Sequence, residues 1–186
     1  MNQSTRTPDS GENTHDPRDE VWQAVFDTYY DAYFEELCAE KLIKRWQSVD
    51  DVTKVLVALT VTGSSVAGWA LWMKEPFRYI WLMLSGTSAL LAIIHSALGV
   101  SSRVRDWSET CHFFSSLRID LETLRYQMKI NPDFSSSDKE NELLVFRKRY
   151  KEGVQRMKND ILRTRKYDIS VQNDLNSRLA NELEQP

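Results

Sequence analysis

Few residues of this chain are of types that do chemistry, and their spacing assembles no reactive set. The three histidines, His15, His95 and His112, fall far apart. No Ser/His/Asp or Cys/His pattern, Gly-rich phosphate loop, HExxH or paired-cysteine motif accompanies them. Cys38 and Cys111 have neither CxxC nor zinc spacing and, on apolar helix faces, read as small hydrophobes. Asp27, Asp31 and Glu35 stand four apart, which puts three carboxylates on one helix face and in principle offers oxygen ligands to a divalent cation. A solvated acidic face is the simpler reading. Arg147, Lys148, Arg149 and Lys151 offer charge to the phosphates of nucleic acid or of lipid headgroups, without the aromatics that would read bases. No enzyme activity, catalytic residue, metal site or cofactor is expected.

What such residues would have to be mounted on is set by two apolar runs, 52–73 and 79–100, joined by the polar connector 74–78 with Pro76. At about 1.5 Å of rise per residue each run reaches about 33 Å, enough for a hydrocarbon core of about 30 Å. No charged residue lies between Val55 and Met73 or between Tyr79 and Gly99. A soluble amphipathic helix of this length would show a polar stripe, so a transmembrane hairpin is favoured over a buried hairpin of a soluble bundle. The pairs Gly63/Ala67, Ser64/Gly68, Ser85/Ala89 and Ala92/Ser96 have the small-xxx-small spacing that lets membrane helices approach closely. Thr60, Gly63, Ser64, Gly68, Ser85, Ser88, His95 and Ser96 are therefore candidates for packing the two spans or for lining a polar seam between subunits. His95, the one ionisable residue near depth, is either a gating residue or a group near the headgroups. Trp69, Trp72, Tyr79 and Trp81 cluster at the connector like an interfacial belt, and Lys41, Lys44, Arg45, Lys54, Arg103 and Arg105 against Lys74 and Arg78 place both termini inside.

The mean hydropathy, −0.49 over 186 residues, hides this hairpin because the rest of the chain is highly charged. Residues 1–19 are polar and Pro-containing and read as a disordered tail. Within 20–49, Trp22, Val25, Phe26, Tyr29, Tyr33, Phe34, Leu37, Cys38, Leu42, Ile43 and Trp46 recur at helical steps, an aromatic-rich amphipathic helix that Asp16 or Asp19 caps. Ser48–Asp51 is expected to break it before the membrane. Residues 101–180 form a helical, coiled-coil-like region. The second span continues unbroken through Val104, Trp107, Cys111, Phe114, Leu117, Leu121, Leu124 and Met128 to Asn131–Pro132–Asp133. A last helix follows, with Ser137 and Glu140 at capping-box spacing and a stripe running from Leu143 through Tyr150 and Ile161 to Leu179. The short turn folds these two helices into an antiparallel pair. Asp9–Glu40 is acidic and Leu143–Tyr167 basic, so the blocks can pair within or between subunits. The fold class is all-α.

The segments YYDAYFEELCAEKLIKRW and SSRVRDWSETCHFFSSLRIDLETL, on either side of two closely joined spans, resemble the SLATT superfamily over about Glu20–Met128. These are bacterial two-span effectors of conflict and antiphage systems, retron systems among them. The resemblance implies a multi-pass protein of the bacterial inner membrane that oligomerises when a separate sensor fires and permeabilises the bilayer, causing growth arrest or death. The sensor would be a reverse transcriptase with its nucleic acid or a nucleotide-signal sensor. Arg147, Lys148, Arg149 and Lys151 are candidates for docking it. The expected partners are thus the lipid bilayer, further copies of the chain and that sensor, with no small-molecule substrate. A non-conducting anchor for a cytoplasmic partner is the alternative.

Overall fold

The computed structural model describes residues 16–71, 75–131, 133–157 and 159–184, with side chains throughout these except at 59–71, 75–77, 80, 81, 84, 85, 183 and 184. The tail to residue 15, the last two residues of the expected first span (72 and 73) and the first connector residue, 74, lie outside the described residues. Among the described residues the chain is all-helical, in five helices: α1 Pro17–Leu71, α2 Glu75–Leu98, α3 Val100–Ile130, α4 Ser136–Arg156 and α5 Arg165–Glu184.

The first helix starts earlier and runs further than its sequence suggests. Pro17 occupies the first helical position, where its missing N–H costs nothing. Asp16 caps it, accepting from the Arg18 N–H on its carboxylate at 2.9 Å. The break expected at Ser48–Asp51 does not occur, and α1 continues for 55 residues, about 80 Å at 1.5 Å per residue. The residues that signal a break satisfy themselves inside the helix instead. Ser48 and Thr53 donate their hydroxyls to the carbonyls of Lys44 and Val49 at 2.9 and 2.7 Å, and Asp50 pairs with Lys54 one turn on.

Two further boundaries move. Helix α2 begins at Glu75, so most of the expected connector is its first turn, where Pro76 is tolerated. The continuous helix expected through residue 100 bends at Gly99, whose φ of +58° is left-handed. A side chain there would be strained, and its Cβ would meet the Ser102 hydroxyl at 2.9 Å.

The core lies between α1 and α3, which run antiparallel. Trp46, Tyr29, Leu37 and Leu42 from α1 and Phe114, Leu117, Leu121 and Leu124 from α3 are almost wholly buried, each contributing about 1.5–3 kcal/mol of transfer free energy. The aromatic stripe of α1 and the apolar stripe of α3 are thus as the periodicity predicts, with Trp22 the exception on an exposed face. Helix α4 folds back antiparallel along α3 and also touches α1, with Arg149 on Asp120 at 2.6 Å and Lys139 on Gln127 at 3.0 Å. Its N-cap is Ser135 with no side-chain cap bond, so the Ser137/Glu140 capping box does not form.

The single last helix is also two. The chain leaves helical geometry after Arg156 and resumes at Arg165, because Asp160 turns into the core and accepts from the Leu162 N–H at 2.8 Å. Such a local side-chain bond competes with helix continuation. Helix α5 then lies on α1 with Val171 and Leu175 buried, whereas Ile161 of the expected stripe is exposed. Among the described residues, one helical stretch within Gly86–Ile130 is long and apolar enough to cross a membrane, and only 6% of that apolar window is buried.

Candidate functional site

The base of the molecule is tied to the apolar helices at one level, where α1 leaves the core and α2 gives way to α3. There Asp50 of α1 holds His95 of α2, Oδ1 to Nε2, at 2.9 Å, while its other oxygen holds Lys54 at 2.5 Å. The hydrogen bonds from Lys54 and then from His95 keep the Asp50 carboxyl below the usual carboxylate range. His95 is half-buried four residues before the Gly99 bend, so the structure puts it at the foot of α2 against an acidic residue of α1.

Just below sits a node that the sequence does not advertise. The Asp160 side chain is wholly buried, and its Oδ2 accepts the indole N–H groups of Trp46 at 2.9 Å and of Trp107 at 2.7 Å. Arg103 approaches the same oxygen at 3.4 Å, its guanidinium 5.5 Å over the Trp46 ring. A buried carboxylate is tolerated when its lone pairs are filled in this way. One residue of the α4–α5 loop thereby locks α1 to α3. The available signal was indirect: two tryptophans on buried stripes must place their N–H groups somewhere.

A second lock joins α5 and its preceding loop to α1. Arg163 forks onto Glu35 at 2.9 and 3.1 Å and reaches Asp168 at 3.0 Å. Burial opposes the charge on Arg163, but the bonds to Glu35 overcome it and raise its pKa. Tyr167 donates its hydroxyl to the Cys38 carbonyl, with Arg45 4.5 Å over its ring. Lys41 pairs with Asp174 at 2.9 Å, and Arg118 of α3 with Glu36 at 2.6 Å. The acidic face of α1 is therefore largely a docking strip for the chain's own basic residues. Glu35 being taken, and Asp27 accepting from Gln23, the divalent-cation reading of Asp27, Asp31 and Glu35 loses its ligands. No group of three His, Cys, Asp or Glu that could hold a metal occurs among the described residues.

The candidate residues of the hairpin separate. The side chains of Thr60, Gly63, Ser64, Gly68 and Ser85 lie outside the described residues. Ser88 is half-buried and engaged, Ser96 exposed. Of the basic quartet, Arg149 pairs with Asp120, and Arg147, itself exposed, donates from Nε to the Thr28 hydroxyl of α1 at 3.4 Å. Lys148 and Lys151 are exposed. Both cysteines are free thiols. Burial pushes Cys38 up to about 12 and raises Cys111 as well.

No protein-family model, curated protein or solved structure matches the chain.

Proposed function

We propose that the chain is a two-span membrane effector of a bacterial conflict system. On this reading it inserts through 52–73 and 79–100 with both termini cytoplasmic, gathers into an oligomer when a separate sensor acts on its helical base, and depolarises the inner membrane. The observation that carries the reading is the contrast between the two ends of the helix pair. Below Asp50 a continuous seam of large apolar side chains is buried between α1 and α3, with single residues such as Ile119, Tyr126 and Ile130 outside it, whereas beyond it Val52, Val55, Leu82, Met83, Leu90, Ile93 and Ile94 are exposed, Met83 at 75% and Ile93 at 64%. Water does not suit such a surface, and hydrocarbon does. The assignment to SLATT-like effectors rests on helix order and residue texture alone.

One hairpin cannot enclose a conducting path, so the activity demands several copies. The test is expression in cells carrying a membrane-potential dye, with carbonate extraction of the membranes. Depolarisation by a carbonate-resistant protein is expected on activation of the sensor, and an unchanged potential under the same conditions refutes the effector. The non-conducting anchor has one observation in its favour, the exposed Lys148 and Lys151 beside exposed Leu144 and Val145 on α4. Arg147 lies at the level of Thr28, about 36 Å down α1 from Val52 by helical rise. A partner there is a protein or nucleic acid in the cytoplasm rather than the bilayer that the hairpin spans.

A further inference from the structure

Three large apolar residues of the base stand outside its buried seam, and they share one face. Ile119, Tyr126 and Ile130 of α3 are each more than half exposed, seven and then four residues apart. Steps of four and three extend the same line along the helix. Arg105, Glu109, His112 and Ser116 make its upper half. Ile119, Thr123, Tyr126 and Ile130 make the lower, and every one of these residues is exposed. Alternating steps of four and three are the seam of a coiled coil, with Ile119 and Tyr126 at d and Thr123 and Ile130 at a. This line points away from Leu117, Leu121, Leu124 and Met128, which α3 buries in the core. Helix α3 thus carries two heptad seams, and its own chain uses one.

What covers the apolar half is protein. By helical rise Ile119 lies about 30 Å and Ile130 about 46 Å beyond Gly99, out of reach of a bilayer that the apolar helices span. Charge selects which protein. Hairpins that enter the bilayer in one sense bring two copies together about an axis along the membrane normal, so each residue of a shared face meets its own counterpart. Like charges then repel, which disfavours the exposed Lys148 and Lys151 of α4 and the exposed Asp27 and Asp31 of α1. From Ser116 to Ile130 the α3 seam itself carries no charge. Beside it, Asp120 is paired with Arg149 at 2.6 Å and Glu122 with Arg118 at 3.3 Å. Higher up, Arg105 and Glu109 have opposite signs one turn apart, so they attract across a parallel pair.

We propose that α3 pairs with α3 of a second copy, parallel and in register, through Ile119, Thr123, Tyr126 and Ile130. The pairing deepens the effector reading and rests on it, because the bilayer enforces the parallel register. The seam is open in the resting fold, so raised surface density alone engages it.

The test uses the full chain overexpressed in membranes, with single cysteines introduced and oxidised by copper phenanthroline, and with the parent chain as the blank for Cys38 and Cys111. Ile119→Cys and Tyr126→Cys should each give a covalent dimer, whereas Lys148→Cys on α4 should not. In the Tyr126→Cys chain, Ile119→Glu should lower the dimer yield about fivefold by setting like charges opposite one another. Co-expression with an Ile119→Lys copy that also carries Tyr126→Cys should restore the yield, a rescue that a damaged base would not give. Equal yields at positions 119, 126 and 148, loss without rescue, or cross-linking of Tyr126→Cys to a protein of different mass overturns the proposal. A carbonate-resistant chain that gives no dimer at 119 and 126 refutes the α3 pairing alone. One released by carbonate refutes the membrane reading and the pairing together.

Discussion

Trp46 of α1 and Trp107 of α3 donate their indole N–H groups to a single oxygen, Oδ2 of Asp160. The two longest-paired helices are thus joined through a loop residue that belongs to neither. Asp160→Ala leaves two buried donors without an acceptor, and each such loss costs about 1–3 kcal/mol. We expect a total loss of about 3 kcal/mol, read as a fall of about 6–12 °C in Tm by circular dichroism. Asp160→Asn keeps an acceptor oxygen and should lose less than half as much. Equal losses in the two variants would show that the carboxylate's charge, rather than its acceptor, holds the node.

Glu35 and Arg163 form the other lock, with side chains only 10% and 24% exposed. Removing either partner strands a poorly solvated charge, so Glu35→Gln and Arg163→Met should each destabilise by about 2–3 kcal/mol. The double variant should recover part of that, with a coupling of about 1–3 kcal/mol in a cycle of denaturant midpoints. Strict additivity would mean that the fork contributes nothing of its own.

How much of this was legible in the sequence depends on whether the information was periodic or pairwise. The stripes Val25–Trp46 and Trp107–Met128 were readable because burial repeats with the helical turn. The helix ends were not. Ser48 and Asp50 look like a break, yet each has an alternative that only a neighbour reveals: a carbonyl one turn back for Ser48, and Lys54 together with His95 of another helix for Asp50. The split of the last helix has the same origin. Asp160 sits in a basic stretch with no local signal, and its role exists only once Trp46 and Trp107 have been brought together. The basic block left pairing within the chain and docking of a partner equally open, because charge counts carry no direction. The structure directs Arg147 and Arg163 to α1 and Arg149 to α3, which accounts for the pairing within the chain.

Cys38 gives the fold an alkaline limit. Burial raises its thiol from 9.0 to about 12, so the native state keeps a proton that the unfolded chain has lost. Its stabilising contribution is complete below pH 9.0 and falls away as pH rises toward 12. Tyr150, raised by burial from 10.0 to about 12, acts in the same sense. Cys38→Ala should flatten the decline of stability with pH over this window by up to about 1.4 kcal/mol per pH unit, and the native thiol should resist labelling at pH 8. A decline as steep as that of the parent chain would remove Cys38 from the account.

At Gly153, α4 packs directly on the aromatic rings of α3. A Cβ there would lie 2.4 Å from the Phe113 ring and 3.0 Å from Phe114. Gly153→Ala should therefore cost about 1–3 kcal/mol by overpacking, despite the better helix propensity of alanine. Phe113→Leu in the same chain should restore part of that loss in thermal melts. A stabilised single variant would mean that α4 can shift outward freely.

The continuity of α1 makes a mechanical prediction for the proposed effector. Because the helix runs from the base to Leu71 without a joint, a displacement imposed on the base by a sensor is delivered to the apolar end as rigid-body motion. Ser48 is exposed, so replacing it with proline alters little but the backbone, removing one helical hydrogen bond and kinking the axis at a cost of about 3 kcal/mol. Both the base, held by the Asp160 and Glu35 locks, and the apolar pair above should survive. Ser48→Pro should thus still resist carbonate extraction and still capture the sensor, while its depolarisation of the membrane falls at least several-fold. Wild-type depolarisation with a kinked α1 would mean that the base need only gather copies of the hairpin, without moving them.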